Sequence, residues 1–156
     1  KLANNCYYSM FNGCTGLTTA PRELPATTLT RCCYYNMFYG CTGLTIAPEL
    51  PATTLAYDCY EAMFSGCTSL TTAPQLPATT LAELCYINMF DGCSKLQSVT
   101  TFVTDWNTLY TSNWLDDAGE NVSNPTIYCP ANSTLKNCTN NSSGIPYGWT
   151  QVDLTE

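Results

Sequence analysis

Residues Cys33–Asp58 read CYYNMFYGCTGLTIAPELPATTLAYD, and residues Cys59–Leu84 read CYEAMFSGCTSLTTAPQLPATTLAEL; 18 of the 26 positions are identical. A unit this short cannot bury its own apolar face, so near-copies in tandem imply stacking, each copy covering the core of its neighbour. Further copies flank the pair. Cysteines recur at Cys6, Cys33, Cys59 and Cys85, and a second set follows eight residues later at Cys14, Cys41, Cys67 and Cys93. The first interval is 27 and the next two are 26, because Arg22-Glu23 stands where later copies have Glu49 or Gln75 alone. An extra residue is best tolerated in an exposed turn, which puts this point on the surface.

Comparing the copies separates inside from outside. Cys59, Tyr60, Met63, Phe64, Gly66, Cys67 and Leu70 never change between copies, and Leu76, Pro77 and Leu81 repeat in every full copy. The positions Asn12/Tyr39/Ser65/Asp91 and Ser9/Asn36/Ala62/Asn88 vary and are largely polar. Leu55, Cys59, Met63 and Cys67 fall at four-residue steps, with Tyr60 and Phe64 one place on, a spacing that predicts one apolar helical face. PATT offers a start, with Thr53 or Thr54 as cap, and Gly66 a stop, so a helix is expected from about Thr53 to Ser65. LTIAPEL is partly β-branched and interrupted by proline, so it predicts only a brief strand. The expected unit is therefore one strand and one helix, stacked through right-handed crossovers into an α/β solenoid with a repeat of about 26 residues.

MFYGCTGL, MFSGCTSL and MFDGCSKL, at residues 37–44, 63–70 and 89–96, resemble the AF-x-G-C-x-x-L signature of BspA-like leucine-rich repeats. The likeness spans residues 1–99 and recurs in register. Two features depart from that pattern: Cys59 stands where the family has isoleucine, and LPATTLA is an addition. The resemblance implies a leucine-rich-repeat-like stack from a bacterial surface or secreted protein, or from a phage of such bacteria. It implies an adhesion role toward a host or cell-surface protein or glycan, and brings no catalytic residues. KLANNC matches the second half of TTLAELC, with Lys1 at the place of Thr80, so further repeats or another domain are expected upstream.

The pattern breaks after Leu96, and residues 100–156 are expected to form a small α+β cap. TDWNTLYTSNWLDDAG reads as a helix capped by Thr104 or Asp105, with Trp106, Leu109, Tyr110 and Trp114 on one face and Gly119 as its stop. TIYCP and GWTQV read as short strands around an Asn-, Ser- and Thr-rich loop. All three tryptophans lie here, which suits an aromatic plug over the last repeat.

Composition narrows the function. The chain has 156 residues, 17 of them charged, with a net charge of −7. So few Lys and Arg cannot neutralise many phosphates, which argues against nucleic acid and anionic membranes as partners. No apolar run is long enough to span a bilayer. Histidine is absent, removing the commonest general base and metal ligand near neutral pH. No paired carboxylates appear at a meaningful spacing, so neither an enzyme nor a cofactor is expected; a glycan hydrolase is the weakest reading.

The eleven cysteines admit three arrangements. A C-x7-C spacing without histidine fits no zinc site. Intra-repeat disulfides and buried thiol ladders both remain open, with ladders favoured because an unbroken helix would hold Cys59 too far from Cys67 to bridge. Cys129 and Cys138 are the better candidates for a bridge, and Cys32 for an exposed free thiol. The stripe Tyr7, Tyr34, Tyr60 and Tyr86 could stack on sugar rings, but packing between repeats is favoured. Asp116, Asp117 and Glu120 lack the alternating oxygens of a calcium loop. The sequons at Asn121, Asn132, Asn137, Asn140 and Asn141 matter only in a eukaryotic source.

The leading expectation is an extracellular or cell-surface binding module working through rows of varied outward residues, Tyr39, Ser65 and Asp91 in one row, Glu49 and Gln75 in another. The alternative is a structural spacer or stalk in a surface or phage-tail protein.

Overall fold

The computed structural model describes residues 2–155. A positive φ recurs at every fourth residue of each copy. In the third copy it falls at Asp58 (55°), Ala62 (49°) and Gly66 (72°), and in the second at Cys32 (49°), Asn36 (52°) and Gly40 (67°). The first and fourth copies repeat the pattern at Asn5, Ser9, Gly13 and at Leu84, Asn88, Gly92. An α-helix needs φ near −60° at every residue, so the helix expected from Thr53 to Ser65 does not form. Thr54, expected as its cap, sits instead in a parallel bridge with Thr28. No α-helix occurs among the described residues. That absence overturns the strand–helix α/β solenoid and the leucine-rich-repeat fold with it.

Each copy instead forms a ribbon of linked tight turns, at residues 31–40, 57–66 and 83–92 in the three later copies. The ribbon satisfies its backbone by alternation. Cys32, Tyr34, Asn36, Phe38 and Gly40 send their N–H groups to the carbonyls of Tyr57, Cys59, Glu61, Met63 and Ser65 in the next copy, at 2.8–3.1 Å. The intervening Cys33, Tyr35, Met37, Tyr39 and Cys41 donate three places back, to Thr30, Cys32, Tyr34, Asn36 and Phe38. Backbone polar groups must be bonded when buried, and here half of the N–H groups close turns while the other half join coils.

Between ribbons the chain runs extended. The LTIAPEL segments pair only through isolated parallel bridges, Ile46↔Thr72 and Glu23↔Glu49, since their prolines lack the N–H a longer ladder needs. From the third copy onward the arms form a four-stranded parallel sheet of β1 (Gln75–Leu76), β2 (Ser98–Thr101), β3 (Thr126–Pro130) and β4 (Thr150–Leu154), in that order. TIYCP is β3, and GWTQV supplies the first half of β4.

The coil stack outlasts the readable repeat. Tyr86, Asn88, Phe90 and Gly92 donate to the carbonyls of Tyr110, Ser112, Trp114 and Asp116, and φ is again positive at Asn113 (54°) and Asp117 (51°). The helix expected over TDWNTLYTSNWLDDAG is thus a fifth turn ribbon. The end region is not an α+β cap: its helical content is one 3-10 turn, Thr134–Asn137.

Stacking in step brings like side chains together. Phe38, Phe64 and Phe90 form a buried column with ring centroids 5.6 Å apart and planes within 4°. Tyr34, Tyr60 and Tyr86 form a second, at 5.8 and 6.2 Å. These tyrosines are at most 2% exposed, so the stripe is core packing. Trp114 ends both columns, 6.5 Å from Tyr86 and 6.5 Å from Phe90. Its indole N–H donates to the Gly144 carbonyl at 2.7 Å, and that of Trp106 to the Ser143 carbonyl at 2.9 Å.

All eleven cysteines are unpaired, so neither intra-repeat disulfides nor a Cys129–Cys138 bridge forms. The second set has a specific task. Cys41, Cys67 and Cys93 donate their thiol protons to the carbonyls of Phe11, Phe38 and Phe64 in the preceding copy, each at 3.1 Å. Cys32 is half-buried rather than exposed, its sulfur 3.8 Å from a carboxylate oxygen of Asp58.

Candidate functional site

The extended arms that carry the prolines shape a broad groove. After each ribbon, Cys67-x-x-Leu70 closes a turn (Leu70 N–H to Cys67 carbonyl, 2.9 Å) and buries Leu70 completely. The chain then leaves the core as Thr-Thr-Ala-Pro. Pro48 and Pro74 are buried, whereas Ile46, Glu49 and Gln75 stay exposed. Three such arms side by side form a groove of about 800 Å³, lined by the segments 18–22, 45–51 and 72–77. The half-buried Ala20, Ala47 and Ala73 line it at equivalent positions. Ile46 is 62% exposed although apolar.

Both members of the row Glu49 and Gln75 line this groove. Arg22, the extra residue of the first copy, joins them with its Nε 3.8 Å from a Glu49 carboxylate oxygen. Both side chains are largely exposed, so the pair adds little to stability and stays open to a partner's charge. The groove thus joins a threonine-, alanine- and proline-lined surface to a carboxylate, an amide and a guanidinium.

The second row does not present a common face. Tyr39 is 43% exposed, Ser65 only 5%, and Asp91 is half-buried. Ser65 donates its hydroxyl proton to the Asp91 carboxylate at 3.3 Å. Burial raises the Asp91 carboxyl above its usual range, opposed by the Ser65 bond and reinforced by Asp116 and Asp117. Ser65 and Asp91 are thus tied to each other, while Tyr39 stands apart at the surface.

Sequence reasoning missed most of the groove. Thr45, Ile46 and Ala47 belong to LTIAPEL, which predicts only a brief strand, and Ala73 to the equivalent LTTAPQL. The available signal was an apolar isoleucine, Ile46, between exposed threonines where the neighbouring copies carry Thr19 and Thr72. A smaller cavity of about 500 Å³ lies near the end of the chain, with Asp116, Asp117, Glu120 and Trp149 among its lining. No group of three or more metal-ligating side chains occurs among the described residues. None of the helical segments described is long and apolar enough to cross a membrane. No family model matches the chain, no curated protein matches its sequence and no solved structure matches it.

Proposed function

We propose that the chain is a binding module that presents the 18–22/45–51/72–77 groove to a protein or glycan partner outside the cell or at its surface. The observation that carries this reading is an 800 Å³ groove repeated from three coils and holding an exposed isoleucine. Concave, mostly apolar sites with a few placed polar groups are the usual form of a recognition surface. The extracellular setting rests on the BspA-like motifs, and buried thiols are compatible with it because burial shields them from oxidants. The test screens the whole chain against glycan and extended-peptide arrays, alongside Ile46→Asp and the double variant Glu49→Ala/Gln75→Ala. A ligand lost by both variants, with melting unchanged, supports the groove. Ligands retained by both would remove it.

A spacer role is the second reading, favoured by the unbroken hydrogen bonding from coil to coil. It expects a chain lacking one whole copy to be shorter by about 4.8 Å per coil with every interaction kept.

A further inference from the structure

Asp58 and Glu61 put two carboxylates into the third coil at positions that the other copies fill with uncharged groups. The equivalents are Asn5 and Tyr8 in the first coil, Cys32 and Tyr35 in the second, and Leu84 and Ile87 in the fourth. Both acids are half-buried, and Glu61 lies against the Asp58 carboxylate. Two like charges held this close repel strongly where water is partly excluded. No ion pair answers them. Toward the second coil, Glu61 meets the Tyr35 hydroxyl, and an Asp58 carboxylate oxygen lies 3.8 Å from the Cys32 sulfur. Arg31, the one cation of that ribbon, lies over the Tyr57 ring at 4.8 Å and bridges neither carboxylate among the described residues. Toward the fourth coil, Leu84 and Ile87 offer no polar side chain, and the charged residue beside Leu84, Glu83, is a further acid. Asp58 Oδ1 and Asn36 Oδ1 are both buried without a hydrogen-bond partner, and they belong to the two coils that meet here.

The boundary between the second and third coils thus carries unbalanced charge, and it runs through the groove. Arm 45–51 follows the second ribbon and arm 72–77 the third. Thr71 N–H to the Thr45 carbonyl at 3.0 Å and Ala47 N–H to the Thr72 carbonyl at 3.3 Å join the two arms. In a stack each coil is held by its neighbours, so one weakened boundary is where the array parts.

We propose that the Asp58–Glu61 pair is a proton-operated latch: one proton on the pair keeps the second and third coils closed, and its loss loosens their boundary and parts the arms that form the groove. The functional consequence, a groove assembled in mildly acidic surroundings and weakened in alkaline ones, rests on the recognition role proposed above; the latch itself does not. The sign follows from burial. Desolvation first, then Asp58, raises the Glu61 carboxyl from 4.5 to about 7, with the Tyr35 hydroxyl opposing. Closed coils therefore keep a proton that opened, hydrated coils release. The pair's contribution to closure is fully present below pH 4.5 and is lost as pH rises through about 7. Tyr35, itself pushed up to about 12, stays protonated across this window.

Hydrogen exchange of the whole chain, each amide's rate divided by its intrinsic rate at the same pH, tests this without a ligand. Asn36 N–H crosses to the Glu61 carbonyl at 3.0 Å and reports the latch boundary, while Thr71 N–H reports the groove arms. Ala62 N–H, bonded to the Ile87 carbonyl at 2.8 Å across the next boundary, is the internal reference. Protection of Asn36 and Thr71 relative to Ala62 should fall about tenfold or more from about pH 5 to about pH 8. Glu61→Gln should remove that dependence. Asp58→Asn, which deletes the other charge and keeps a residue type that tolerates a φ of 55°, should do the same. A ratio that stays flat with pH in the unmodified chain overturns the latch, as does a fall that persists in both variants. A fall at Asn36 without one at Thr71 overturns the coupling to the groove. Finding no ligand for the groove leaves these ratios as they are, so the two readings fail separately.

Discussion

Ala62 has φ +49° and Gly66 φ +72°, two positions of the same kind filled by different residues. A left-handed conformation costs an L-residue with a Cβ about 1–2 kcal/mol and glycine nothing. Gly66→Ala should therefore lower stability by about 1–2 kcal/mol. Steric collision adds little, since the new methyl would lie 3.5 Å from the Gly40 Cα, an ordinary contact. Ala62→Gly should do the reverse, raising stability by about 0.5 kcal/mol once the looser unfolded chain is counted. Paired thermal or urea melts of the two variants check both signs. A second residue-scale effect concerns Glu61, whose carboxyl is pushed up from 4.5 to about 7 by burial and by Asp58 beside it, partly offset by the Tyr35 hydroxyl. Asp58 Oδ1 is buried without a hydrogen-bond partner, and a proton on Glu61 removes the repulsion between the two carboxylates. The folded state then holds a proton that the unfolded state releases between pH 4.5 and about 7. Stability from this pair is present below pH 4.5 and falls as pH rises to 7. The melting temperature should decline across that window, and Glu61→Gln should flatten the decline.

At the scale of the element, a ribbon is held by its column and by its thiol. Phe64 is fully buried between Phe38 and Phe90, so Phe64→Ala should cost about 3–5 kcal/mol. Phe11→Ala, at a half-buried position, should cost less in the same melt. The thiols should divide by burial when the native protein meets an alkylating reagent. Cys6 and Cys14 are exposed and should react at once. Cys67 and Cys85, pushed up to about 12 by burial, should react only on unfolding, since the thiolate is the nucleophile. Much of this was legible in the sequence. The fixed Cys, Tyr, Met, Phe and Leu positions are the core, and TIYCP is a strand. The ribbon was not legible as such, because apolar residues at four-residue steps fit a helix face and a chain of four-residue turns equally well. The discriminating signal was the recurrence of Asn5, Ser9 and Gly13, or Asn36 and Gly40, at the same step, residue types that tolerate a left-handed backbone. It was obscured by Ala62, Cys32 and Leu84, which hold that conformation without local preference; Ala62 and Cys32 are held in it by hydrogen bonds to the next coil, at 2.8 and 3.0 Å. The groove was half legible: Glu49 and Gln75 stood out as a row, but Ala47 and Ala73 looked like strand interior.

For the molecule as a whole, the alternation of hydrogen bonds sets where length can change. Within a ribbon, adding one residue exchanges coil-joining donors with turn-closing ones and displaces every later side chain from its column. Between ribbons, the extended arm can absorb an extra residue, as the first copy does at Arg22-Glu23. Arg22 is 93% exposed there, and Glu49 still bridges to Glu23. An arginine inserted before Glu49 should therefore leave the fold intact, with a stability change within about 1 kcal/mol. One alanine inserted between Tyr60 and Glu61 should break the stack at the third coil. It would remove Phe64 from between Phe38 and Phe90, and the N–H groups of Phe64 and Gly66 would no longer face Met89 and Asp91, to which they now donate at 2.9 and 2.7 Å. Thermal melts of the two single-residue insertions, identical in length, give the comparison. Equal stability would mean that the ribbons tolerate a shift of phase, and the alternating pattern would then not be what holds one coil to the next.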